Sequence, residues 1–335
     1  MANTTVDEDL VTLPAPTSKQ TYVTISALEG GHLTLPESFF VAPSDPLKRA
    51  TVPSLSFLIQ HPPTIKTLAQ GSKTTKLLFD LGLKRDFGAY REAQQHHIAQ
   101  RQPTTVSPDV TESLRRGSLE PGDIDIVILS HVHWDHVGTP SDFTNAEFIV
   151  GNGTLHLLSH GGGPLYPASL FNADELPKER TKELPSVTAD ANFASHTRTT
   201  QHEWQSLGGF PAAIDFFGDG SLYIIDAPGH LHGHVNLLAR TGPGNWVYLG
   251  GDCCHDKRIL NGERNIAMYD DGKGGLRSVH MDIESATRTV ERVRGLLREG
   301  KVQEDGRGVV NVEIIIAHDN EWREKNQDRF WPGSL

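Results

Sequence analysis

Apolar and polar positions along the chain sort into runs of two kinds. Short runs rich in β-branched and aliphatic side chains, bounded by turn-forming residues, read as buried strands: Ile124-Asp125-Ile126-Val127-Ile128-Leu129, Leu222-Tyr223-Ile224-Ile225, Trp246-Val247-Tyr248-Leu249 and Val312-Glu313-Ile314-Ile315-Ile316-Ala317. Residues 22–28, 54–59 and 76–81 read the same way in the first half. Residues 213–217 and 222–225 read as a hairpin about Gly218-Asp219-Gly220, with a further strand at 235–239. One stretch has the other periodicity. Behind Asp282, a helix-capping residue, Ile283, Ala286, Val290, Val293 and Leu297 recur at helical spacing, with Arg288, Glu291, Arg292 and Arg294 mostly outward. That stripe predicts a helix covering a sheet, and no chemistry is assigned to it.

Two segments lack periodicity. The first twenty residues are polar and proline-containing, which predicts a mobile tail over 1–20 and organised structure from about Thr21. Residues 159–205 are rich in Gly, Pro, Ser and Thr, and two readings stay open: a lid overhanging a site, or a surface excursion. Phe171, Phe193 and Trp204 would give such a lid apolar contact surface. Residues 33–40 are a second candidate for a pocket wall.

The chemistry lies just past the ends of the strands. The first run empties into His131-Val132-His133-Trp134-Asp135-His136, four potential metal ligands within six residues. The others run into Asp226-Ala227-Pro228-Gly229-His230, Gly250-Gly251-Asp252 and His318-Asp319. Neutral imidazoles and carboxylates suit a borderline divalent ion such as zinc, and a loop can splay adjacent ligands toward two ions. Thr139-Pro140-Ser141-Asp142 has the form of a helix start with Thr139 as N-cap, so a strand and a helix bracket the first cluster. Ligands spread this far must converge on one site, which predicts a single domain over 21–335. Asp80 has two readings, a carboxylate that accepts from a ligand histidine behind the metal and fixes its tautomer, or a strand-terminating turn residue. Among the other histidines, His234 reads as a structural hydrogen-bonding residue and His232 as a loop residue. His96, His97, His156, His160, His196 and His202 read as ordinary polar residues.

Composition narrows the partners. With 31 basic and 42 acidic residues the formal charge is −11, which repels a polyanion and argues against nucleic acid. Cys253 and Cys254 are the only cysteines and are adjacent, so a disulfide framework is excluded and a reducing, cytoplasmic compartment fits. They are expected to pack as small buried residues, because the ligand set is full without them. No apolar run approaches the length of a membrane span, and the first residues lack the basic start and apolar core of a secretory signal.

With these ligands together, the chain resembles the metallo-β-lactamase superfamily, and within it the N-acyl homoserine lactonase group, with fungal lactonase- and lactamase-type hydrolases similar in outline. The resemblance rests on the His131 to His136 signature, Pro228-Gly229-His230, the His230-to-Asp252 spacing and Phe79-Asp80-Leu81-Gly82. It implies an α/β fold, the αββα sandwich of two mixed sheets flanked by helices. It also implies two divalent ions, zinc foremost, with His131, His133 and His230 on one, Asp135, His136 and His318 on the other, and Asp252 bridging. Where the lactonases carry a tyrosine three residues after the bridging aspartate, this chain has His255, in position to face substrate.

Asp135, Asp252 and His255 are thus the catalytic candidates. Two ions lower the pKa of a shared water toward neutrality, giving a hydroxide to attack a carbonyl. An amide also needs an acid for its leaving nitrogen, and His255 or Asp252 is the expected donor. The expected reaction is the opening of a small lactone or lactam. A thioester hydrolase of the glyoxalase II type and a phosphodiesterase are the alternatives on the same platform. A small-molecule partner and no membrane are expected, and exposed lid aromatics would suit a homodimer.

Overall fold

The period-two alternation of the apolar runs is what divides the core. In the strand Thr75–Phe79, Leu77 and Phe79 enter one cluster of buried side chains while Leu78, between them, enters another, as a pleated strand requires. A computed structural model describes residues 11–63, 73–188, 198–298 and 302–335, and most of its strands fall into two six-stranded sheets.

The first sheet consists of β1 (Thr24–Pro36), β2 (Arg49–His61), β3 (Thr75–Phe79), β4 (Ile126–Ile128), β5 (Glu147–Val150) and β6 (Thr181–Glu183), in chain order. Its first two pairings are antiparallel and the rest parallel. The second sheet holds β7 (Gln205–Leu207), β8 (Phe210–Asp215), β9 (Leu222–Asp226), β10 (Val235–Gly242), β11 (Asn245–Leu249) and β12 (Asn311–Ile315). Here β7 to β11 are antiparallel neighbours, and β12 adds to β11 in parallel.

Phe57, Ile59, Leu77, Phe79 and Ile128 of the first sheet meet Ile224, Leu237, Val247, Leu249 and Ile315 of the second in a single cluster between the sheets. The opposite faces need cover, since two-sided apolar strands cannot be left in water. Leu58, Leu78, Val127 and Phe148 pack with Val110 and Leu114 of the helix Val110–Arg115 and Leu157 of the helix Thr154–His160. Tyr223, Leu238, Trp246, Tyr248 and Ile314 pack with Val290 and Val293 of the helix Ile283–Gly295. The result is the expected helix–sheet–sheet–helix sandwich of two mixed sheets.

The Asp282 carboxylate caps the last of these helices by accepting from Ser285 N at 3.0 Å. Leu297 departs from the predicted stripe. It is exposed, because the α-helix ends at Gly295 and the helical spacing no longer holds beyond it; Leu296 is buried instead. A larger departure concerns the N-terminal segment. Val11–Leu13 is a strand pairing in parallel with Val302–Glu304, and Leu13 is fully buried. The predicted tail therefore fails from Val11 onward, since a three-residue strand is too short to show periodicity and its partner lies near the other end of the chain. Residues 1–10 lie outside the described residues. Thr139 precedes a single 3-10 turn, Pro140–Asp142, and makes no capping bond with its side chain.

The outer edge of β1 is paired along its length by irregular chain. Leu335 N donates to Ile25 O at 2.7 Å and Trp331 N to Ala27 O at 2.9 Å. Further along, His32 N donates to Thr105 O at 2.7 Å and Thr34 N to Arg101 O at 2.9 Å. Between the sheets, His61 at the end of β2 meets the turn joining β8 and β9, its Nε2 lying 2.8 Å from Asp219 Oδ2. Among the described residues no helix is long and apolar enough to cross a membrane.

Candidate metal centre

Each strand of the pattern delivers its polar residue to the same end of the sandwich. The loop after β4 is fixed at its first residue: Ser130 N and Oγ donate to the two oxygens of Asp80, each at 2.7 Å, and Val235 N donates to Ser130 O at 2.8 Å. Asp80 itself has φ +62°, a left-handed conformation that an aspartate tolerates better than most residues. After β9, Gly229 has φ +124°, and a Cβ there would lie 2.1 Å from Ala286 N. Only glycine lets the chain pass this close to the helix Ile283–Gly295 and turn His230 inward.

The site that results is organised about the two oxygens of Asp252. Oδ2 lies 3.7 Å from His131 Nε2 and 3.5 Å from His230 Nε2. His133 Nδ1 completes that side, 3.0 Å from His131 Nε2 and 2.9 Å from His230 Nε2. Oδ1 lies 3.2 Å from both His136 Nε2 and His318 Nε2, and Asp135 Oδ2 is 3.7 Å from the latter. All seven sequence-predicted ligands are thus brought together in two groups that share a carboxylate. The far nitrogens of three imidazoles are held by neighbours: His136 Nδ1 by Asp80 Oδ2 at 2.8 Å, His318 Nδ1 by Pro53 O at 2.7 Å, and His131 Nδ1 by Ser130 Oγ at 3.0 Å.

The electrostatics suit a cation. Burial pushes His131 and His230 well below the ordinary imidazole value and His133 to about 3, so all three are the neutral donors that a divalent ion accepts. His136 and His318 are raised: burial opposes their charged form, but the Asp252 carboxylate outweighs it, with Asp80 adding to the effect at His136. Asp252 lies well below the carboxylate range, its burial outweighed by His318 and His136. His133 Nδ1 lies about 3 Å from the ring nitrogens of both His131 and His230, and one ring proton cannot satisfy both contacts, so their lone pairs repel unless something positive lies between them. The buried His136 Nε2 and Asp252 Oδ1 have no hydrogen-bond partner. Converging lone pairs and orphaned polar atoms are the signature of a metal-binding cage, and these residues fit divalent ions.

The cage opens on a cavity of about 480 Å³. Its wall includes Leu33, Leu35, Phe39 and Phe40, within the early segment flagged by sequence. Leu165, Tyr166, Leu170 and Phe171 line it from the 159–205 segment, although Thr181–Glu183 of that segment is a strand of the first sheet and no insertion. Trp204 donates from Nε1 to Pro185 O at 2.8 Å, whereas Phe193 and His196 lie outside the described residues. His255 faces the cavity with Nε2 3.1 Å from Asp252 Oδ2.

Two histidines depart from the sequence reading. His97, read as an ordinary polar residue, lies in the cavity wall; its eight-residue helix, Glu92–Ala99, has no apolar stripe in the sequence to show which side faces inward. His280, which sequence reasoning missed, is buried with Nδ1 3.3 Å from His230 Nδ1. The strand before it, Leu276–Arg277, is two residues long and has no apolar run, so no signal in the sequence separates His280 from surface histidines. His234 has the structural role expected, receiving Asp252 N at its Nε2 at 3.2 Å, with Nδ1 3.1 Å from Ala227 O. Cys253 and Cys254 are buried, and the hydrogen bond with Cys253, together with burial, pushes the Cys254 thiol well up, which makes it a poor nucleophile.

A sandwich of two mixed sheets with a His/Asp cage at its strand ends is the architecture of a metallo-hydrolase. The sequence pattern of the metallo-beta-lactamase superfamily matches residues 67–250, and the chain belongs to that superfamily. It is 28% identical over 340 residues to cytochrome P450 monooxygenase mpaDE of Penicillium roqueforti, a match covering 94% of this chain and 36% of that protein. It is 30% identical over 226 residues to gamma-lactamase FDB1 of Fusarium pseudograminearum, covering 66% of this chain and 50% of the relative. The chain therefore spans between a third and a half of the length of these curated relatives. A solved structure of B. thuringiensis AiiA with N-decanoyl-L-homoserine bound at the active site superposes with a TM-score of 0.60 at 18% identity, covering 97% of this chain and all of that one; the likeness shows the shared fold.

Proposed function

We propose that the chain is a dinuclear metal-dependent hydrolase that opens a small cyclic ester or amide. The observation that carries this reading is the division of the ligands about the two oxygens of Asp252. His131, His133 and His230 would hold one divalent ion and Asp135, His136 and His318 the other, with Asp252 shared; zinc suits these nitrogen and oxygen donors. When bound, such a pair supplies an acidified water as nucleophile and polarises the substrate carbonyl. The names of the relatives, gamma-lactamases and N-acyl homoserine lactonases among them, support a ring carbonyl as the target.

The chain's own residues bind, orient and move protons. Asp80 and the Pro53 carbonyl lock the rings of His136 and His318 so that Nε2 of each points at the cage. The apolar part of the cavity wall, with Leu33, Leu35, Phe39, Phe40, Leu165 and Phe171, gives the body of a substrate a surface to pack on beside the cage. His255, beside Asp252 Oδ2 at the cavity surface, holds a proton where a leaving alkoxide or amide nitrogen can take it. A panel of acyl homoserine lactones, other γ-lactones, cyclic carbamates, lactams, thioesters and phosphodiesters tests the reading on metal-loaded protein, with products read by mass. Ring opening that disappears when the ions are chelated and returns with zinc is the expected result. Turnover confined to thioesters or phosphodiesters, or unaffected by chelation, would overturn it.

A further inference from the structure

The cavity wall beyond the metal cage carries a second polar feature that hydrolysis does not use. Arg101 and Arg277 both line it. Arg101 is only 7% exposed, its Nη1 is buried without a hydrogen-bond partner, and Nε of Arg277 is likewise buried and unpartnered. Among the described residues neither guanidinium forms an ion pair. A buried arginine charge in a protein interior is normally matched, because an unpaired guanidinium gives up its hydration for nothing.

The two groups are held in place rather than loose. Arg101 is anchored by its own backbone, whose carbonyl accepts from Thr34 N on the edge of β1. Its guanidinium lies over the Phe39 ring at 5.7 Å, Phe39 stacks on Tyr269 at 4.6 Å, and Arg277 lies 5.7 Å over both Tyr269 and Tyr166. Arg277 is also the cross-strand partner of Tyr269 in the hairpin formed by Tyr269–Asp270 and Leu276–Arg277. Burial pulls His97 down to about 4, and Arg101 and Arg277 both add to that effect, so the two cations look onto one interior space. The acids of the wall make no ion pair with either group: Asp270 Oδ1 accepts from Gly272 N at 2.7 Å, and Asp271 Oδ1 accepts from Lys273 N at 2.7 Å and Gly275 N at 2.9 Å, while Asp271 and Asp135 act on Arg277 and Arg101 only through their fields.

We propose that Arg101 and Arg277 form an anion-recognition site within the cavity, and that the substrate is a lactone or lactam whose apolar body bears a carboxylate. The substrate class rests on the reaction proposed above; the anion site does not. A planar guanidinium matches the two oxygens of a carboxylate in a fork, and the aromatic and leucine wall suits an apolar body. A dianionic phosphate is disfavoured by Asp270 and Asp271 at the same wall and by the net charge of −11.

Calorimetric titration of the metal-loaded protein with 3-phenylpropionate and with its neutral amide tests the site. The carboxylate should bind at least about tenfold more tightly than the amide, and Arg101→Gln and Arg277→Gln should each remove about that factor from carboxylate binding alone. Unchanged amide affinity and melting temperature show that the variants are folded, and Arg277→Gln, in an outer hairpin, serves if Arg101→Gln fails to fold. The preference should persist after chelation of the ions. Equal affinity for the two probes, undetectable binding included, overturns the proposal. So does a preference that both variants keep but chelation abolishes, which would assign the carboxylate to the metals. Arginine-dependent binding with no ring compound turned over would retain the site and reject the reaction; ring opening without arginine-dependent binding would do the reverse.

Discussion

The two sheets furnish the metal cage in different ways. The first sheet delivers His131, His133, Asp135 and His136 from one loop after β4, a local arrangement whose first residue is pinned by Asp80. The second sheet delivers His230 after β9, Asp252 after β11 and His318 after β12, one residue at each strand end. A one-residue slip of β11 or β12 would turn its ligand away, since side chains alternate faces. The first group therefore depends on a loop and its hydrogen bonds, and the second on the register of a whole sheet. Asp252 belongs to both, because its two oxygens face ligands from each group.

Removing that shared residue should have the largest effect. On the proposed two-ion reading, Asp252→Ala is expected to lose one ion outright and weaken the other, with the proposed ring-opening activity falling by more than the roughly 10²- to 10³-fold that a single electrostatic contact is worth. Metal content by atomic emission and turnover on the same sample check it; a variant that retains two ions and full turnover would refute the shared-ligand reading. A smaller loss is expected from the support of the loop alone. Asp80→Ala should cost about 10- to 100-fold in metal affinity, the usual weight of a partner behind a ligand histidine, while saturating stoichiometry stays at its wild-type value. Competition against a chromogenic chelator measures it, and an affinity equal to wild type would mean the loop holds itself.

The smallest effect is on stability, at the contact that joins the sheets away from the cage. Burial works against the Asp219 carboxylate but is outweighed by the hydrogen bonds from His61 and Ser221, which bring it from 3.8 to about 2. A depressed carboxyl stabilises the fold fully above about pH 4, and that contribution disappears as the pH falls through about 2. Asp219→Asn should lower stability at neutral pH by about 1–2 kcal/mol and flatten the decline between pH 4 and pH 2. Urea unfolding across that range reads it, and parallel curves for the variant and the wild type would remove Asp219 from the account.

The same contrast explains which parts of the molecule are legible in the chain itself. The loop cluster is legible because its ligands are neighbours in sequence, and the strand-then-ligand pattern finds His230, Asp252 and His318 because apolar runs announce where strands end. His280 and His97 have no such herald; each reaches the site through a turn or a short helix whose orientation is a property of the whole molecule. Val11–Leu13 is illegible for a related reason, since a three-residue strand acquires meaning only from a partner at the far end of the chain. Arg101 and Arg277 stand in unremarkable sequence, and what distinguishes them is the absence of a counter-charge, which no linear reading reveals.

The covered edge of β1 has a consequence for assembly. Ile25 and Ala27 are engaged by Leu335 and Trp331, and His32 and Thr34 by Thr105 and Arg101, so the outward peptide groups that would recruit a foreign strand are already taken. Should two copies associate, they cannot do so by adding a strand at this edge. Deleting residues 331–335 would unmask half of that border and turn a closed rim into a template for β-sheet polymerisation.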